Sequence, residues 1–133
     1  MKVAIILGTR PEIIKLSPII KQLNKKSTSV IFTGQHYDHN MSMNFIDQLG
    51  LDKPNYSMKI PKTNPELQIS EIIKKLSKIF AAEKPENVVI QGDTNTVLAA
   101  GIASLKCNIS ISHIESGLRS NDWRMPEEHN RII

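Results

Sequence analysis

The sequence predicts an α/β fold built on a doubly wound parallel sheet, and three observations carry that expectation. Short apolar runs with β-branched residues alternate with longer stretches whose apolar residues recur at helical spacing. The first two runs end in a glycine, Gly8 and Gly34, as strands do where the chain must turn sharply. Acidic motifs then follow the later runs, and carboxylates placed just after buried parallel strands gather at one edge of the sheet, where such folds bind ligands.

Taken in order, Lys2 to Leu7 is a continuous apolar run and reads as a buried strand. Pro11 suits the first turn of a helix, with Glu12 near the positive end of its dipole. Ile13, Leu16, Ile20 and Leu23 carry that helix to about Lys25. Pro18 predicts a bend, because it has no N–H to offer the Ile14 carbonyl. Val30 to Thr33 reads as the second strand and Met41 to Gln48 as a short helix stopping at Gly50. The stretch from Asp52 to Pro65 holds three prolines and two asparagines and reads as irregular. Leu67, Ile69, Ile72, Ile73, Leu76, Ile79 and Phe80 describe a long amphipathic helix, ended around Lys84-Pro85. Val88 to Ile90 is the next strand, and Thr94 to Lys106 is an alanine-rich helix able to pack closely under the sheet. Ile109 to Ile114 is a further strand, and strand–helix alternation makes the crossovers right-handed. A last helix begins at Pro126 and reaches only about two turns by Ile133, which suggests the front part of a longer protein.

With 133 residues, 40% apolar and 23% charged, the chain has the make-up of one globular domain. Its net charge of +4 comes largely from lysines on helix faces, and only 5% of residues are aromatic. That balance reads as a solvated surface rather than a nucleic-acid footprint, so no nucleic-acid partner is expected. No apolar run approaches membrane-spanning length and no signal segment is seen, so no membrane partner and a cytoplasmic location are expected. Cys107, the single cysteine, excludes an intrachain disulfide and reads as a buried or half-buried thiol at a helix end.

Gly8-Thr9-Arg10-Pro11-Glu12 joins a strand to a helix. Its free N–H groups, with Arg10 and with Lys15 one turn on, can seat an anion, although a plain turn with solvated charges fits equally well. There is no Gly-x-Gly-x-x-Gly and no Walker A loop. Gln35-His36-Tyr37-Asp38-His39 follows the second strand and reads as a substrate-side loop or, alternatively, a plain surface loop, with no third ligand to make it a metal site. Asp93 in Gly92-Asp93-Thr94-Asn95-Thr96 is either a helix N-cap or a proton-transfer group in a dry crevice. Glu115 and Arg119, in His113-Ile114-Glu115-Ser116-Gly117-Leu118-Arg119, either form a salt bridge or serve a site. Glu127 and Glu128 could simply satisfy a helix N-terminus.

These motifs, together with Pro126 to Arg131, occur in one order and spacing that resembles the non-hydrolysing UDP-N-acetylglucosamine 2-epimerases, along the whole chain. The resemblance implies a two-domain fold like the GT-B glycosyltransferases, with residues 1–133 forming most of an N-terminal Rossmann-like domain. A C-terminal domain holding most of the uridine-diphosphate site and a catalytic histidine would lie outside the chain, and the isolated fragment would be inactive. The implied reaction is reversible conversion of UDP-GlcNAc to UDP-ManNAc through elimination of UDP and a 2-acetamidoglucal intermediate. Carried over motif by motif, the functional acids are Asp93, Glu115 and Glu127. Arg10 and Lys15 face the diphosphate, His36 lines the sugar side, and His113 and Arg119 complete the substrate-binding set. No metal or cofactor is implied, and the full-length partner is a second copy in a homodimer.

Two departures stand out. Ser116 replaces the common alanine, and Tyr37-Asp38-His39-Asn40 replaces the arginine-led loop of members activated by their own substrate. The alternatives are an epimerase for another UDP-2-acetamido sugar, a hydrolysing epimerase, and a nucleotide-sugar-binding module of the same fold. Glu12 and Leu118 favour plain GlcNAc.

Overall fold

A computed structural model of the chain describes residues 1–34, 39–60 and 64–133. Its strands are β1 (Val3–Leu7), β2 (Thr28–Phe32), β3 (Tyr56–Ser57), β4 (Asn87–Gln91) and β5 (Ser110–Ile114). Its helices are α1 (Arg10–Gln22), α2 (His39–Gln48), α3 (Pro65–Glu83), α4 (Asn95–Lys106) and α5 (Pro126–Ile132). The five strands form one parallel sheet in the order β3-β2-β1-β4-β5. The doubly wound, Rossmann-like architecture expected from the sequence is therefore present.

Alternation along β1 shows why helices cover both faces. Ala4 and Ile6 join Ile72, Leu76 and Phe80 of α3 and the alanines of α4 in one core. Val3, Ile5 and Leu7 join Ile13 and Leu16 of α1 and Ile46 of α2 in the other. A central parallel strand buried on both faces must be apolar throughout, and all five β1 residues are buried.

Local chemistry sets the helix boundaries. The Asn64 side chain accepts from the Leu67 N–H and Pro65 fills the next position, so α3 starts there. Lys84 ends it in the left-handed conformation, with Pro85 following. Helix α1 runs unbroken through Pro18, and the Ser17 hydroxyl donates to the Ile14 carbonyl that Pro18 cannot serve (3.0 Å).

Two expectations need correction. Within the stretch read as irregular, Tyr56–Ser57 pairs with Ile31 and Phe32 as an edge strand. Asn55 accepts from the Val30 N–H and the Met58 N–H reaches the Phe32 carbonyl, so turn-prone polar residues brace the pairing rather than prevent it. Cys107 is exposed, not buried, because α4 turns its last residues, Leu105 to Cys107, toward solvent.

Candidate active site

The C-terminal ends of β1, β4 and β5 open into one crevice lined by Thr9, Lys15, Gln91, Asp93, Glu115 and Leu118. A glycine brings its walls together. An added Cβ on Gly8 would lie 2.3 Å from the Thr96 hydroxyl and 2.9 Å from that of Thr33. Those two hydroxyls bond each other across Gly8 at 2.9 Å, so the start of α4 is drawn against the end of β1. At the β4–α4 turn, Gly92 adopts φ 86°, a conformation glycine reaches at little cost. Thr94 rather than Asp93 caps α4, accepting from the Val97 N–H, which leaves the Asp93 carboxylate for other partners.

Glu115 leaves β5 in the left-handed region, with φ 59°. That conformation costs a non-glycine residue about 1–3 kcal/mol and persists only where surrounding contacts impose it. Two contacts do so here: the Lys15 ammonium and the Gln91 amide both donate to Oε2 at 2.8 Å. The Lys15 bond, ahead of the opposing effect of burial, holds the Glu115 carboxyl below its ordinary value. The expected alternative, a salt bridge to Arg119, is not formed. Arg119 is exposed and donates to the Ser116 and Leu118 carbonyls of its own loop.

Asp93 is held by α5. Arg131 donates to Asp93 Oδ2 through Nε at 2.9 Å and lies 2.7 Å from it through Nη2, while Asn130 donates to the Asp93 carbonyl at 2.8 Å. The same guanidinium reaches Glu128 at 3.0 Å. Glu128 is fully buried and also accepts from the backbone N–H groups of Ser120 and Asn121. Adjacent helix positions face different ways, so Glu127 is exposed while its neighbour ties α5 to the preceding loop.

Glu128 sets a pH response. The Ser120 N–H, with help from Arg131 and Asn121 and against the effect of burial, lowers its pKa from 4.5 to about 2. A group depressed on folding adds stability that is present above about pH 4.5 and lost as pH falls toward about 2. Glu128→Gln should therefore lower the melting midpoint by roughly 5 °C or more near neutrality. The gap from the parent should narrow below about pH 4.5 and close as pH approaches about 2. A gap that stays constant down to that pH would show that the charge on Glu128 is not what stabilises the loop.

Glu12, expected near the positive end of the α1 dipole, has a larger structural part. It is buried and accepts from the N–H groups of Gly8 (2.5 Å) and Thr9 (2.9 Å) and from the Thr94 hydroxyl. Burial is the largest influence on it and raises its pKa. The signal was present in Thr9-x-x-Glu12, the spacing of a capping box, in which the glutamate folds back onto the residue before the helix. Glu12 thereby ties the β1–α1 loop to the β4–α4 loop across 82 residues.

Of the remaining anticipated residues, Arg10 stacks its guanidinium over the Phe45 ring, 5.3 Å from the centroid. The His113 Nε2–H donates to the Gly92 carbonyl at 2.7 Å, so this imidazole braces the turn before Asp93. His36 lies outside the described residues. Among the described residues there is no cluster of His, Cys, Asp and Glu suited to a metal. No described helix is long and apolar enough to cross a membrane.

Residues 20–133 match the family model described as UDP-N-acetylglucosamine 2-epimerase. Over 132 residues the chain is 48% identical to the UDP-N-acetylglucosamine 2-epimerase of Methanococcus maripaludis, which covers 99% of this chain and 36% of that protein. It is 40% identical over 136 residues to the UDP-2,3-diacetamido-2,3-dideoxy-D-glucuronate 2-epimerase of Pseudomonas aeruginosa, covering 100% of this chain and 38% of that one. The crystal structure of Methanocaldococcus jannaschii UDP-GlcNAc 2-epimerase in complex with UDP-GlcNAc and UDP matches with a TM-score of 0.92 and 47% identity, over 99% of this chain and 37% of that one. The chain thus spans a little over a third of the length of these relatives.

Proposed function

Since the chain belongs to the UDP-N-acetylglucosamine 2-epimerase family, we propose that it forms most of the N-terminal domain of an enzyme that interconverts UDP-GlcNAc and UDP-ManNAc. The observation that carries this reading is the placement of Asp93 and Glu115 at the ends of adjacent strands, both lining one crevice with Lys15. Inverting C2 requires a base that removes its proton and an acid that returns one from the other side, and two carboxylates lining one crevice suit that task.

In this scheme a carboxylate takes the C2 proton, the C2–H electron pair forms the C1–C2 double bond, and UDP leaves C1 with the C–O bond pair. The products held in the site are 2-acetamidoglucal and UDP. The reverse addition returns UDP to C1 while a carboxylic acid protonates the opposite face of C2. Lys15 and Arg10 stabilise the departing diphosphate, whose charge grows as the bond breaks. Glu127, exposed at the start of α5, is the third acid of the set, and His36, His113 and Arg119 remain its substrate-binding members. The second domain of a GT-B-type fold supplies the rest of the uridine-diphosphate site, no metal or cofactor takes part, and full-length chains act as homodimers in the cytoplasm.

The test is proton NMR of UDP-GlcNAc incubated in D2O with the full-length protein. UDP-ManNAc should appear, with deuterium at C2 in both epimers. Retention of the C2 proton with no epimer formed would overturn the reading. The 40% identity to the diacetamido-glucuronate epimerase favours one second reading, another UDP-2-acetamido sugar as substrate. Offering UDP-2,3-diacetamido-2,3-dideoxy-D-glucuronate in the same assay separates the two by relative kcat/KM.

A further inference from the structure

Both donors that hold Glu115 reach the same oxygen, yet they differ in how firmly they are themselves held. Lys15 stands on the exposed side of α1, with 47% of its side chain in solvent. It is a flexible, strongly hydrated cation that can follow a charge. Gln91 is only 3% exposed and is the last residue of β4. It pairs in register with Ile114, the residue before Glu115, and the next N–H, from Gly92, bonds the Ile114 carbonyl at 3.0 Å. The Gln91 backbone is therefore fixed to the same two strand ends that launch Glu115, and its buried side chain has little room to move.

A diphosphate entering the crevice carries more negative charge than one carboxylate and draws Lys15 toward itself. A neutral, buried amide has no such incentive to leave. We propose that Gln91 is a positioning residue for the reaction, keeping the Glu115 carboxylate aimed at the reacting carbon once the diphosphate has taken Lys15. The proposal rests on the reading of Glu115 as a catalytic acid–base group. It adds a division of labour: Lys15 serves the ligand, and Gln91 preserves the strained geometry of Glu115 while it does so.

Gln91→Leu in the full-length enzyme removes the donor and keeps a side chain of similar size. Misplacing a catalytic group by about 1 Å costs on the order of 100-fold in rate. Accordingly, kcat for C2 epimerisation should fall about 10- to 100-fold while KM stays within about threefold. Gln91→Met, closer in length, should give the same split. Adding Gln91→Leu to Glu115→Gln should slow the residual C2 exchange in D2O no further, because the residue it positions has already lost its function.

An inactive Glu115→Gln beside a fully active Gln91→Leu would overturn the proposal alone. A rise in KM at unchanged kcat would overturn it too, by making Gln91 a binding group. Near-normal turnover by Glu115→Gln would instead remove the catalytic reading of Glu115, and the proposal with it.

Discussion

Asp93→Asn and Glu115→Gln in the full-length protein should each slow interconversion of UDP-GlcNAc and UDP-ManNAc by about 1,000-fold or more. Both replacements keep the shape of the side chain and remove its capacity to exchange a proton. A positioned acid or base is worth about 10²- to 10⁴-fold, and C2 carries only a weakly acidic proton, so the upper part of that range applies. An asparagine at 93 can still accept from Arg131 through its oxygen, so α5 should stay docked and the loss should be one of chemistry. A glutamine at 115 loses the ion pair with Lys15 but keeps an oxygen for the Gln91 amide. Initial rates and deuterium uptake at C2, measured together, check both variants. Rates within a few-fold of the parent for either one would remove that residue from the mechanism.

Gly8→Ala should have the largest effect on stability. The new Cβ would sit 2.3 Å from Thr96 Oγ1, 2.8 Å from Thr96 Cβ and 2.9 Å from Thr33 Oγ1. Both threonines are buried and bonded to each other, so neither can swing clear without breaking that bond. Overpacking of this kind costs about 3 kcal/mol, which for a domain of this size lowers the melting midpoint by roughly 10 °C. Because relief requires α4 to move away from β1, the Asp93 turn moves with it and turnover should fall as well. Thr96→Ala in the same chain removes the closest of the clashing atoms and should restore part of the lost stability. A Gly8→Ala protein melting within 1 °C of the parent would mean that the close approach is not a constraint on the fold.

What could be read in advance follows from the range over which each signal acts. Helix and strand periodicity is local, so β1, β2, β4, β5 and the five helices fall near their anticipated places, and the parallel sheet follows from their alternation. Strand β3 has two residues, too few for any period to show, and exists because Asn55 and the Met58 N–H fasten it to β2. The same contrast holds at the crevice. That Asp93 and Glu115 would share an edge was legible, because each follows a strand of the parallel sheet, although β4 is buried and β5 is largely exposed. Their partners were not. Sequence proximity offers Glu115 only Arg119 as an alternative salt-bridge partner, whereas its cation is Lys15, 100 residues away. Of the two roles open to Asp93, the cap is supplied by Thr94 instead, and its partner Arg131 lies 38 residues on, where no local signal links the two. Nothing in the string distinguishes Glu127 from Glu128, since orientation about a helix depends on what lies beside it.

Those long spans have a consequence for the order of synthesis. On a ribosome adding about 5–20 residues per second, the 100 residues between Lys15 and Glu115 take roughly 5–20 s to emerge. During that interval β1, β2 and α1 can already collapse on one another, while Glu12 waits for Thr94 and the Asp93 carboxylate waits for Arg131. Translation therefore delivers the scaffold first and closes the long-range contacts last, Glu12 gaining Thr94 and Asp93 gaining Arg131 only when most of the chain has left the exit tunnel.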